Sequence, residues 1–332
     1  MASKTTSTDA KLDALRALID LASRSDDDKQ VLHAAFRKTL NDKSNFLVAK
    51  TADWIAERLL FDMIPALCST YERFLQKPLD TDKTCAAKRA LSRALYALDY
   101  DDENFYRHNL HYRQLEPVYG GQVDTAVELR CTCALGLVAT GDSRVMLDIV
   151  ALLHDEESQA RIGAIKAITL AQPFHAELIL HNKILQGDPE PEVISECFTA
   201  LVQVAAEDSL EFLARFLDFS NPSVSEGAAL ALGESRLDSA LDLLIDASER
   251  FSPHETWQSV FYRAIALQRN TKAYGYLLDI IQQQDTFPAC QAIHALSIFN
   301  YNENLENKVR SIVNQKKSKK LSQCFNKYWF VN

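Results

Sequence analysis

His108 and His111, three residues apart, are the first side chains whose type and spacing could do chemistry. On one helix face such a pair can ligate a metal. Four acids precede them (Asp99, Asp101, Asp102 and Glu103), and Tyr106, Arg107, Tyr112, Arg113 and Tyr119 share the segment. A metal centre needs three or four converging N, O or S ligands. The spacing supplies two, and no third is implied. Asp101 and Asp102 sit in an acidic run where water relieves their repulsion, so they do not read as an acid/base couple. Tyr and Arg are favoured anchors of protein interfaces. Tyr106, Arg107, His108, His111, Tyr112 and Arg113 are therefore candidate partner contacts. The plainer alternative is a helix and loop whose Tyr and His pack against neighbours. If the segment is a recognition patch, replacing Tyr106, Arg107 and Tyr112 by Ala weakens partner capture without unfolding the chain.

Cys131 and Cys133 form Cys-x-Cys. Positions i and i+2 of a helix point about 200° apart, so one metal is poorly shared and a core role fits better. No Gly-x-Ser-x-Gly turn is present, and His294 lies beside Ile293 inside an apolar segment. Glycine is scarce, 9 of 332 residues, which argues against Gly-rich phosphate loops. No catalytic residue, cofactor or metal is assigned, and a non-enzymatic role is expected.

The elements that hold these residues announce themselves by repetition. Gly136, Ala167, Ala200, Ala231, Ala264 and Ala295 recur at spacings of 31, 33, 31, 33 and 31. Each is followed by Leu or Ile: Leu137, Ile168, Leu201, Leu232, Ile265 and Leu296. Small residues at i and i+3 share one helix face and let a neighbouring helix approach closely. Asp188-Pro189, Asn221-Pro222 and Ser252-Pro253 are read as N-cap residues with Pro at the first helical position, and Ser252 with Glu255 as a capping box. Second helices follow at about 142–153, 174–187, 208–219, 238–250 and 271–284. Residues 121–314 thus read as six two-helix repeats. Residues 1–120 read as degenerate helical repeats and a cap, with 99–121 inserted, and 315–332 as a basic and aromatic tail.

The unit resembles the HEAT repeat in its short bacterial form, best over Gln159 to Ile168 and over Ser225 to Gly233 with Glu234-Ser235-Arg236. The chain is also similar to uncharacterised bacterial HEAT-repeat proteins around Gln114-Leu115-Glu116-Pro117, Gly120-Gly121, Asp124-Thr125-Ala126 and Leu129-Arg130. The resemblance implies an all-α fold, a right-handed α-α superhelix or α-solenoid. It implies a protein-binding scaffold or adaptor, while a minority of such solenoids bind DNA or act on bilin chromophores.

Charge separates these options. Lys plus Arg is 36 against 45 Asp plus Glu, a net −9. Lys308 to Asn332 holds seven bases and no acid, leaving the acids concentrated in the body. In HEAT-like solenoids the second helices commonly line the concave side. Here they carry eleven acids, Asp208, Glu211, Asp242, Asp246 and Asp279 among them, against five bases. An acidic concave surface repels a phosphate backbone and suits a basic protein or peptide partner. Nucleic acid is disfavoured. The competing assignments are a DNA glycosylase-like, base-processing protein and a chromophore-lyase-like protein.

With no secretory signal at the start and no apolar stretch of the roughly 18 residues that span a bilayer, a cytoplasmic protein that does not enter membranes is expected. Its seven cysteines are then expected to be reduced thiols. Lys316 to Lys320 reads as a solvated linker, and the aromatic end from Phe325 to Phe330 either frays, folds back on the last repeat or binds a partner. Oligomeric state is left open.

Overall fold

The computed structural model describes residues 7–21, 26–218, 220–251 and 255–330. They divide into two units, Met1–Ala171 and Gln172–Asn332, a boundary inside the regular repeats. The first unit holds α1 (Ser7–Leu21), α2 (Asp26–Leu40), α3 (Asn45–Glu57), α4 (Ile64–Leu75), α5 (Pro78–Thr81), α6 (Ala86–Ala97) and α7 (Glu103–Asn109). A hairpin of β1 (Leu115–Val118) and β2 (Gly121–Asp124) follows, then α8 (Val127–Ala139), α9 (Met146–Leu152) and α10 (Ser158–Ile168). The second unit holds α11 (Pro173–Gln186), α12 (Pro191–Ala205), α13 (Leu210–Ala214), α14 (Pro222–Ser235) and α15 (Asp238–Arg250). It ends with α16 (Glu255–Leu267), α17 (Thr271–Gln283), α18 (Thr286–Ser297), α19 (Glu303–Lys316) and α20 (Lys319–Trp329). Among the described residues no helix is long and apolar enough to cross a membrane.

The fold is an all-α, HEAT-like stack of helical hairpins, as the repeat predicts. Leu137, Ile168, Leu201, Leu232, Ile265 and Leu296 are all fully buried. Each contributes about 1.5–3 kcal/mol by leaving water. The small positions have the predicted cause. A Cβ on Gly136 would overlap the Tyr106 ring, and one on Gly233 would overlap the Ala264 carbonyl of the neighbouring helix. In the first unit α3, α6, α8 and α10 pack in series. In the second, α12, α14, α16, α18 and α20 do so, while α11, α13, α15, α17 and α19 touch one another much less.

Several local expectations are corrected. Residues 99–121 are not only helix and loop: β1 and β2 pair antiparallel, Leu115 with Asp124 and Val118 with Gly121. Asn221 caps α14 with Pro222 at its first position, as expected. Asp188 does not cap a helix: α12 starts at Pro191, and the Asp188 carboxylate instead pairs with the buried Lys183 ammonium at 2.7 Å. The Ser252-Pro253 cap lies outside the described residues. Cys290 and Cys324 form a disulfide with Cα atoms 5.9 Å apart, so the expectation of seven reduced thiols fails for this pair. Its physical reason is α20, which folds back on α18 and buries Leu321, Phe325 and Trp329. The basic stretch is also more ordered than a linker. Lys316 donates to the carbonyls of Ile281 (3.1 Å) and Gln284 (2.7 Å), satisfying the end of α17.

Candidate partner-binding surface

The segment proposed as a recognition patch is largely turned inward. Tyr106 is fully buried, with its ring against Gly136, and burial pushes its phenol up. It cannot anchor a partner on the surface, and its replacement would cost stability. Tyr71, Tyr100 and Tyr106 meet Phe105 edge-to-face at 4.9, 5.6 and 5.3 Å. Half-buried Arg107 pairs with Glu103 and, at 3.0 Å, with Asp148. The half-buried Tyr112 hydroxyl donates to Gln114 Oε1 (3.2 Å), and its carbonyl accepts from Arg130 (3.0 Å). Arg113 pairs with Glu156 at 2.8 Å and reaches Asp155 at 3.6 Å. His108 and His111 are exposed. Among the described residues no three or more His, Cys, Asp or Glu side chains gather as a metal site. What the segment does present is the tip of the hairpin, with Val118, Tyr119 and Val123 exposed.

The hairpin is instead a clasp on a buried ionic network. Asp82 and Lys88 are both fully buried and pair at 2.8 Å. The Asp82 carboxylate also accepts from the Ala87 N–H (2.8 Å), the Lys88 N–H (3.1 Å) and the Asn45 amide (3.1 Å). The turn before α6 places Thr84 and Cys85 at φ of 59° and 52°, left-handed geometry that costs about 1–2 kcal/mol per non-glycine residue. Glu116 of β1 holds that turn: it accepts from the Thr84 N–H (2.6 Å), the Gln114 amide (2.8 Å) and the Thr125 hydroxyl (2.9 Å). Arg130, 0% exposed, bridges Asp124 (2.6 Å) and Asp155 (3.1 Å). The residues that carried the second resemblance, Gln114, Glu116, Asp124, Thr125 and Arg130, are thus the parts of this clasp.

The acids of the second unit are where a partner could meet charge. Asp208, in the turn Ala206–Ser209, is exposed, as are Glu211 on α13, Asp242 and Asp246 on α15 and Asp279 on α17. Asp242 pairs with Lys272, and Asp246 with Arg250 at 3.0 Å. These helices form the looser of the unit's two layers. The tighter layer is acidic at α12 and α14. A cleft of about 370 Å³ between α12 and α14 is lined by Glu192, Glu196, Glu226 and Glu234 with Ser195 and Thr199. Arg263 pairs with Glu226 at 3.4 Å. The other three glutamates have no ion-pair partner among the described residues.

Comparison with known proteins agrees with this architecture. Residues 182–253 match the family described as HEAT repeats. The match covers α12 and α14 entirely, together with the acidic cleft between them. Residues 182–253 thus carry HEAT repeats, units that commonly serve in protein-interaction scaffolds. No curated protein matches the chain. A crystal structure of an engineered protein is similar at 15% identity, over 99% of this chain and 97% of that one, with a TM-score of 0.34, too low to bear on the fold.

Proposed function

We propose that the protein is a non-catalytic interaction scaffold whose second unit holds a basic protein or peptide segment. The observation that carries this is the α12–α14 cleft, where four glutamates face one arginine. Carboxylates left without cations are solvated at no cost until a partner arrives, and a complementary cation then steers and registers binding. Asp208, Glu211 and Asp279, on the unit's other layer, add to the acidic field. This field disfavours a phosphate backbone, which sets the proposal against the DNA-processing alternative. Titration calorimetry with a lysine-rich 15-residue peptide tests it, with duplex DNA as the counter-probe. Peptide affinity is expected to fall roughly tenfold between 50 and 300 mM salt, since the screening length shortens over that range, and DNA is expected not to bind. Salt-independent peptide binding, or tighter binding of DNA, would contradict it.

A further inference from the structure

The tighter layer of the second unit changes sign along its length. α12 and α14 carry Glu192, Glu196, Glu226 and Glu234 and no base. α18 and α20 carry His294, Lys319, Lys320 and Lys327 and no acid. α16 stands between them, and its Arg263 pairs back to Glu226 of α14 at 3.4 Å.

Helix register puts part of this basic set on the face that holds the cleft. Thr199 of α12 and Leu230 of α14 line the cleft. Each directly precedes the small position of its repeat, Ala200 or Ala231. The same position reads Arg263 on α16 and His294 on α18, at spacings of 33 and 31. A further 33 residues lead to Lys327 on α20. Trp329, two residues on, is buried as Leu296 is at the equivalent place on α18. α20 is thus a seventh first helix in register with the others. Electrostatics gives an independent sign that the row is real. Desolvation, then the charges of Arg263 and Lys327, hold the His294 imidazole below its usual range, so both cations lie within reach of it. The His294 ring also stacks on Tyr328 of α20 at 4.1 Å. His294 and Lys327 are exposed, and neither has an ion-pair partner among the described residues.

Packed helices lie about 8–10 Å apart, so Arg263, His294 and Lys327 form a row of donors at about that interval. A polyproline II segment rises about 3.1 Å per residue with three residues per turn, which brings every third side chain to one face about 9 Å apart. Acids at every third position of such a segment match the row. A nucleic acid would not, because its uninterrupted phosphates would run on into the glutamates of α12 and α14.

We propose that the tighter layer of the second unit binds a charge-segregated segment of a partner protein: a basic stretch in the α12–α14 cleft, continued by an extended acidic stretch, with Asp or Glu at every third residue, on Arg263, His294 and Lys327. This rests on the proposed binding of a basic segment and adds the acidic half, which fixes where along the stack the partner sits.

The test uses the full chain and rhodamine-labelled peptides. Each joins Lys-Gly-Lys-Gly-Lys through Gly-Gly to either (Glu-Pro-Pro)3 or (Gln-Pro-Pro)3, and each is also made with its two halves exchanged. In the favoured order, anisotropy at 100 mM salt should show the glutamate peptide binding about fivefold tighter than its glutamine counterpart, the modest gain of exposed ion pairs. General attraction to a chain of net charge −9 would give the opposite ranking, so the sign of the difference is the readout. His294→Gln/Lys327→Gln should abolish the preference while leaving affinity for the glutamine peptide within about twofold, since both side chains are exposed. Lys327→Gln alone should shrink the preference if the double variant disturbs the His294–Tyr328 stack. A glutamate peptide no tighter than the glutamine peptide in either order, or a preference that survives the double variant, overturns the assignment while leaving the acidic-cleft proposal standing. Failure of all four peptides to bind at 50 mM salt removes both.

Discussion

Replacing Lys88 by alanine should cost the first unit about 3–5 kcal/mol, because it strands a carboxylate in the interior. Asp82 would keep its hydrogen bonds from the Ala87 and Lys88 N–H groups and from Asn45. Those three donors hold the electrostatic part near the lower end, about 3 kcal/mol. The lost methylenes of the fully buried lysine stem add about 0.8 kcal/mol each. Lys88→Met keeps most of the stem, so it should retain the electrostatic loss and recover most of the packing. Hydrogen exchange read by mass spectrometry isolates this region without requiring the whole chain to unfold in one step. At about 1.4 kcal/mol per decade, a 3 kcal/mol loss appears as roughly hundredfold faster exchange in peptides covering α6 and the hairpin. The second unit should be unchanged. A rise below about fivefold in Lys88→Ala would refute the claim that this pair organises the clasp.

Three further outcomes follow from other contacts of the fold. Gly136→Ala forces the buried Tyr106 ring to move and should lower stability by about 1–3 kcal/mol in thermal melts; an unchanged melting temperature would mean the ring has room. Asp124 gives a pH dependence. Burial alone raises its carboxyl, but the Ala126 N–H, the Arg130 guanidinium and the Gln114 N–H together hold it below the usual range. A folded pKa below the unfolded one gives stability that is complete above about pH 4 and lost as pH falls through the folded pKa. Asp124→Asn should therefore flatten the acid side of a melting-temperature profile, and an identical acid slope would count against the network. Reducing the Cys290–Cys324 bond releases a 34-residue loop constraint, about 3–4 kcal/mol by chain entropy. Thiol titration of the denatured protein should rise from five to seven thiols on reduction; seven without reductant would show that the bond is not formed.

The repeat was legible because its cause is periodic: the residue after each small position fills the same core site in unit after unit, from Leu137 to Leu296. The clasp was not. Asp82 and Lys88 look like ordinary surface charges until the left-handed turn at Thr84 and Cys85 folds one onto the other. Tyr106 has the composition of an interface anchor, and only its contact with Gly136 reveals a core residue. Two features could have been read. The separation of Cys290 and Cys324, 34 residues, is close to one repeat period, which puts them on adjacent first-layer helices. Small residues mark the tightly packed layer, so Gly227 and Gly233 place the flanking Glu226 and Glu234 on it.

The most direct test of the central claim is anisotropy of a labelled lysine-rich peptide against the wild-type chain and a Glu192→Lys/Glu196→Lys/Glu234→Lys variant, at 50 mM salt with folding checked by circular dichroism. The account predicts binding to the wild type and at least a roughly tenfold loss in the variant, in keeping with the like-charge penalty at an interface. Equal affinity for the two folded proteins would contradict it.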